Sequence, residues 1–307
     1  MKTMKKRFKW TRYIPFYIMM APAVIYIFIN NYIPMGGMVV AFKNYKVTEG
    51  IWGSDWCGLS NFEFLFASPD AFNITRNTIL YNLAFIVLAT ILSVAIAILL
   101  NEIRGKVSRN VFQTLILLPY LISIVVVAYL VYAFLSPTTG FVNKQILEPV
   151  GQAPVSWYTQ EKVWPFILVF VYLWKNFGYN SVIYVATICG IDPALHEAAA
   201  VDGASAWRRI WNITLPCLKP TIITMTLLAV GRIFYSDFGL FYQVTMNSGA
   251  LVDATSTIDT YVFRGLMERG NVGMSAAAGF YQSLVGFVLI LIANFVVKKL
   301  SKENALF

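Results

Sequence analysis

Six long stretches of this 307-residue chain carry almost no charge. Tyr13 to Phe42, Ile79 to Leu100, Asn110 to Asn143 and Asn271 to Val297 hold none, Val163 to Ile191 holds only Lys175, and Pro220 to Val252 holds only Arg232 and Asp237. A helix needs about 20 apolar residues to cross a bilayer, so the pattern predicts six membrane spans, over about 14–34, 78–101, 111–135, 163–190, 221–246 and 275–298. The expected organisation is a basic N-terminus (1–13), one transmembrane domain (14–298) containing a loop at 191–220, and a short tail (299–307). Ala21-Pro22-Ala23 loosely mimics a signal-cleavage site, but the apolar run continues past it. A signal core is only about 7–15 residues long, which makes the first run an uncleaved span.

Composition agrees with the pattern. Hydrophobic residues make up 58% and charged residues 13%, about half the 25% of soluble domains, and mean hydropathy is +0.64. Soluble enzyme, disordered chain and collagen are excluded together. The net charge of +9 then reads as topology rather than as nucleic-acid binding. Lys2, Lys5, Lys6, Arg7, Lys9 and Arg12 precede the first span, and further Lys and Arg cluster at 104–109, 208–219 and 298–302. Fewer, among them Lys43, Arg76 and Lys162, lie in the longer loops of the other side. The positive-inside rule puts both termini in the cytoplasm.

Cys57, Cys189 and Cys217 have no paired spacing, and His196 is the single histidine. A disulfide framework, a multi-histidine zinc site and a His-based catalytic centre are therefore not expected.

The most informative stretch lies between spans four and five. Asp192 suits a helix N-cap and Pro193 the first helical position. Leu195 to Val201 is Ala-rich and helical by propensity, and Gly203 can end the helix in the left-handed region. Ser205 can cap a second short helix carrying Trp207, Ile210 and Trp211 on one face, and Pro216 and Pro220 punctuate the approach to span five. The expected shape is a helix–turn–helix knuckle outside the membrane.

Glu197-Ala198-Ala199, three residues, Gly203, nine residues, then Ile213-Thr214-Leu215-Pro216 resembles the EAA motif of ABC importer permeases at every fixed position. That resemblance implies an all-α membrane protein of six transmembrane helices with the type I ABC importer permease fold. It also implies that the knuckle is a cytoplasmic coupling-helix pair docking on an ATPase, with Glu197, Ala198, Ala199, Asp202, Gly203, Trp207 and Arg208 in that role. The chain has no P-loop: Gly105-Lys106-Val107-Ser108 lacks the upstream glycine. The family's architecture implies no cofactor on this chain, ATP-Mg held by a separate ABC ATPase dimer, and a second permease subunit. An ordinary interfacial amphipathic loop would not explain the motif spacing.

The chain is further similar to the sugar branch of these permeases, and within it to importers of oligosaccharides in Gram-positive bacteria. Tyr13-Ile14-Pro15-Phe16, Asn31 to Met35, Leu117-Leu118-Pro119-Tyr120 and Ser136 to Gly140 carry this likeness. It implies an oligosaccharide substrate, an extracellular lipid-anchored solute-binding protein, and residence among the lipids of a plasma membrane.

Intramembrane charges are costly and by default mark a pathway. Spans four and five hold them beside aromatic and amide side chains: Tyr172, Trp174, Asn176 and Tyr179 with Lys175, and Arg232, Tyr235, Ser236 and Asp237. Helical spacing would put Tyr172, Asn176 and Tyr179 on one face, and Arg232, Tyr235 and Ser236 on another. The structural alternative is that Lys175 pairs with Asp237. Trp52, Trp56, Trp157 and Tyr158 read as an interfacial aromatic belt or a contact for the binding protein. Two other classes are disfavoured. A gradient-driven transporter would show inverted repeats, and a membrane enzyme would need a catalytic cluster. A non-sugar solute remains the alternative cargo.

Overall fold

The computed structural model describes residues 13–67, 69–103 and 105–300. The basic residues before Tyr13, Arg104 and the tail beyond Leu300 lie outside the described residues. Five helices are long and apolar enough to cross a membrane: α1 (Ile14–Phe42), α2 (Pro69–Glu102), α5 (Trp164–Cys189), α7 (Ala206–Val230) and α9 (Val272–Leu300). The bent pair α3 (Lys106–Leu121) and α4 (Ile124–Leu135) is apolar enough, taken together, to make a sixth. Two shorter helices complete the set used below, α6 (Pro193–Val201) and α8 (Ile258–Met267). Among the described residues no β-strand forms; Lys43 and Trp56 make one isolated bridge.

The core lies between α2 and α5, and three apolar clusters run along the bundle. One joins Phe85 of α2, Val127 of α4, Trp164 and Leu168 of α5, and Phe241. A second joins Ile74, Phe234, Ile258 and Met274, tying α2 to α8 and α9. The third, at the knuckle end, joins Ala97, Tyr184, Ile188 and Leu218. Ile14 to Met35 of α1 bury no residue within this chain.

α1 runs on to Phe42 and α2 begins at Pro69, both beyond the expected 14–34 and 78–101. Two further departures have hydrogen-bonding reasons that apolarity does not report. Span three is not one rod: α3 and α4 meet at 91°. Ile122 and Ser123 are extended there, and Ser123 caps α4 by accepting from the Val126 N–H. Span five is not one helix over 221–246. Its helix begins at Ala206 and ends at Val230; residues 231–237 are turns and coil, and a short π-type turn follows at Leu240–Val244. The second helix of the knuckle is thus the start of span five itself. Pro216 and Pro220 do not separate them. They lack N–H groups, and the helix relaxes there into a π-turn at Ile210–Thr214.

The expected loop 247–274 contains helix α8, which buries Ile258, Tyr261 and Arg264. Tyr158 is buried and so belongs to no aromatic belt. Trp157 donates its ring N–H to Asn143, and Tyr158 is buried against Trp164. Trp52 and Trp56 are exposed, with the buried Lys43 ammonium over the Trp56 ring.

Candidate functional site

The knuckle is built by its caps. The Asp192 carboxylate accepts from the Ala194 N–H at 3.0 Å and starts α6. Gly203, at φ +76°, ends it. The Gly203 N–H donates to Ala200 and the Ala204 N–H to Ala199, the double hydrogen bond of a left-handed helix terminus. Ser205 then accepts from the Arg208 N–H and begins α7. Glu197, Ala198, Asp202, Gly203, Trp207 and Arg208 are exposed and Ala199 is half-buried. Leu195, Val201, Trp207 and Trp211 also stand out apolar into solvent, the two tryptophan rings edge to face at 5.8 Å. Behind α6 lies a cavity of about 470 Å³ walled by Glu102, Arg109, Cys189, His196, Glu197 and Arg209. Such a surface, small at Ala198 and Ala199 and apolar around them, suits docking against a protein groove.

The second constellation forms at the two breaks. Lys175 on α5 donates from its ammonium to the Tyr120 and Ile122 carbonyls. These are carbonyls at the end of α3 that the broken helix leaves open. The same ammonium lies over the Tyr120 ring at 5.7 Å, and Tyr120 stacks on Tyr179 at 4.2 Å with 8° between planes. Close contact holds α3 to α5: a Cβ on Gly178 would lie 2.0 Å from the Ile116 carbonyl oxygen.

The break in span five is held by side chains from three helices. Asn82 of α2 donates to the Ile233 carbonyl, and Gln282 of α9 donates to the Phe234 carbonyl. Asp259 of α8 accepts from the Ser236 N–H, from the Ser236 hydroxyl and from Gln282. Asp237 accepts from the Leu240 N–H and starts the turn that follows. The turn that follows this break meets the break of span three, because a Cβ on Gly239 would lie 2.8 Å from Cγ2 of Ile124, the first residue of α4.

Several expectations are corrected here. Arg232, Tyr235 and Ser236 share no helix face, since they sit in the turns of the break. Tyr172 and Tyr179 lie on one face of the unbroken helix α5, as their spacing requires, but in different surroundings: Tyr172 is half-buried and stacks on Phe85 at 3.8 Å, whereas Tyr179 is exposed. Asn176 donates to the Tyr172 carbonyl of its own helix, and Trp174 lines an apolar groove between α4 and α5 with Phe134 and Phe170. Lys175 and Asp237 form no ion pair; the pairs among the described residues are Lys46 with Glu49 and Asp55, and Lys144 with Glu148. What the breaks do present outward is Tyr120, Tyr179, Arg232, Tyr235 and Asp237. Asp259, Gln282 and Asn82 were not singled out from the sequence, and Tyr120 was named only within a run that carries the family likeness. The signal for Asp259 was its place in the first turn after Thr257, whose N–H and side chain form a capping box with Thr260.

Residues 89–302 match the family described as binding-protein-dependent transport system inner membrane component. Protein LplB of Bacillus subtilis is 33% identical over 299 residues, 97% of this chain and 92% of that protein. The polygalacturonan/rhamnogalacturonan transport system permease protein YteP of the same organism is 31% identical, over 94% of this chain and 89% of its own length. Among solved structures, a bacterial alginate ABC transporter in complex with an alginate pentasaccharide-bound periplasmic protein is similar at TM-score 0.85 and 32% identity. The match covers 95% of this chain and 96% of that one.

Proposed function

This chain belongs to the family of inner membrane components of binding-protein-dependent transport systems, and from that premise we propose that it forms one half of the pathway of an ABC importer for oligosaccharides. A relative named as a polygalacturonan/rhamnogalacturonan transport permease, and the similar alginate transporter with its periplasmic protein, support a sugar cargo and a solute-binding protein partner. In this reading a second permease subunit supplies the other half. An ATPase dimer docks on Glu197, Ala198, Ala199, Asp202, Gly203, Trp207 and Arg208, and hydrolyses ATP that this chain does not bind. The Bacillus relatives favour a Gram-positive plasma membrane.

The observation that carries the mechanism is the continuity of α7. One 25-residue helix, Ala206–Val230, runs from the knuckle to the break in span five. At 1.5 Å per residue it is a rod of about 37 Å. Closure of an ATPase dimer would push the knuckle, and the rod would deliver that displacement to residues 231–237. Directly after them, Gly239 packs on Ile124 at the break of span three. Both breaks would then shift together, and alternating access would follow from one push.

The break surface suits a sugar. The stacked Tyr120 and Tyr179 rings offer an aromatic face, and Tyr235, Arg232 and Asp237 offer hydrogen-bonding groups beside it. Exposed charges in a membrane span must face water or another protein, which fits a pathway shared with a second subunit.

Co-purification tests the reading. The chain is expressed with its partner permease and ATPase, as wild type, Glu197→Lys and Gly203→Asp. The expected result is that the wild type retains the ATPase in detergent and is stimulated by binding protein with oligosaccharide, while both variants release it. Equal association in all three would defeat the coupling assignment.

A further inference from the structure

At the end of α2 and α5 away from the knuckle, two cavities adjoin. The larger, about 640 Å³, is walled by Arg76, Lys162, Glu161 and Asp253 among others. The smaller, about 100 Å³, is walled by Arg264, Arg269 and Asp253. The two share Asn73 and Asp253. Four cations thus face two carboxylates across one furrow.

Arg264 is the unusual member. Its side chain belongs to α8 and the residue is only 8% exposed. Both of its hydrogen bonds go to neutral side chains, from Nε to Asn247 and from Nη1 to Ser256. No ion pair among the described residues includes it. Glu268 acts on it only from a distance, through Asn247, which donates to the Glu268 carboxylate. A charge taken out of water is normally paired, and here the small cavity lies in front of it. Arg269 stands at the rim, over the Tyr261 ring at 6.0 Å, and is itself exposed.

We propose that this furrow is a carboxylate site through which the permease receives a uronate-bearing oligosaccharide, with Arg264 and Arg269 holding one carboxylate and the wider furrow the neighbouring rings. The proposal rests on the oligosaccharide-importer reading and adds the chemical class of the cargo. A recess of about 100 Å³ in front of a buried guanidinium has room for a carboxylate projecting from the edge of a sugar ring, with the ring itself left in the wider furrow. Arginine also matches carboxylate geometry with two parallel donors, which a neutral sugar would not need.

The test uses the whole complex in proteoliposomes with its binding protein, and trigalacturonate as the free acid or as its methyl ester. The ester keeps the shape and removes the charge. Arg269→Gln is the first variant because its side chain is exposed and its loss leaves the core intact; Arg264→Lys is the second. The expected result is stimulation of the wild type by the free acid, with the half-saturating concentration raised about tenfold in Arg269→Gln, the loss of one charge-assisted contact. The ester response should be equal in both proteins. Equal responses of wild type and variant to the free acid would overturn the proposal, as would stimulation by neutral oligosaccharides alone, which leaves the sugar importer standing. If Arg269→Gln instead weakens docking of the cargo-free binding protein, the arginines serve that protein and the proposal falls. If no oligosaccharide stimulates the complex, the importer reading falls first and this one with it.

Discussion

Ser236 donates twice to one carboxylate oxygen of Asp259, from its backbone N–H at 2.7 Å and from its hydroxyl at 2.6 Å. Ser236 lies where span five loses its helix, and Asp259 lies 23 residues further on, in the first turn of α8. Backbone that leaves a helix inside a membrane protein must find partners elsewhere. This carboxylate, with Gln282 and Asn82, supplies them.

Asp259→Ala should therefore destabilise the chain by about 1–3 kcal/mol for each donor left buried without a partner. Ser236→Ala, which removes one donor along with its need, should cost less. Thermal unfolding of the purified complex in detergent gives the ranking. A Ser236→Ala protein less stable than Asp259→Ala would contradict it.

Lys175 holds open carbonyls and not an acid. Charge reversal at Asp237 together with Lys175 should accordingly fail to restore uptake lost in either single reversal. Lys175→Arg should keep far more uptake than Lys175→Met, because it keeps the donors to Tyr120 and Ile122. Recovery in the double reversal, measured as labelled sugar taken up by cells, would show that the pair forms in some state of the cycle.

Gly178 allows α3 and α5 to touch at the Ile116 carbonyl. Gly178→Ala should cost 1–3 kcal/mol or somewhat more, the range for overpacking, since backbone on a packed helix cannot step aside. Gly203→Ala meets no atom within 4 Å but keeps a positive φ, so its cost should be near the 1–2 kcal/mol of a left-handed residue. Melting temperatures of the two variants check the order.

The orientation expected from Lys and Arg is open to a chemical probe. In a chain with Cys57 and Cys217 replaced by serine, a membrane-impermeant maleimide applied to intact cells should label Trp56→Cys and leave Cys189 untouched. Both positions are exposed in the fold, so the opposite labelling would invert the topology.

Much of this was legible from the chain because it depends on local chemistry. Apolar runs mark the spans, and Asp192, Gly203 and Ser205 announce the knuckle through their capping roles alone. The breaks were hidden because apolarity reports what dissolves in lipid and says nothing of where a helix's hydrogen bonds go. Pro119 and Gly231 were visible, yet the groups that make each break tolerable lie far off in sequence: Lys175 for one, Asp259 and Gln282 for the other. Helix α8 was hidden because ten amphipathic residues between two long spans look like a loop. The half-burial of Tyr172 was hidden for a related reason, since it depends on Phe85 of another helix.

The central claim is that α7 carries the knuckle's motion to the break as a rigid rod. Electron–electron distance measurement tests it directly, in a chain with Cys57, Cys189 and Cys217 replaced by serine. One label pair, Trp207→Cys with Leu228→Cys, lies along α7 and spans about 31 Å at the helical rise. The other, Leu228→Cys with Leu99→Cys, reports α7 against α2; all three sites are exposed. On ATP binding to the assembled importer, the account predicts an unchanged first distance and a shifted second one. A first distance that changes while the second stays fixed would mean that α7 bends at the knuckle and the push never reaches the break.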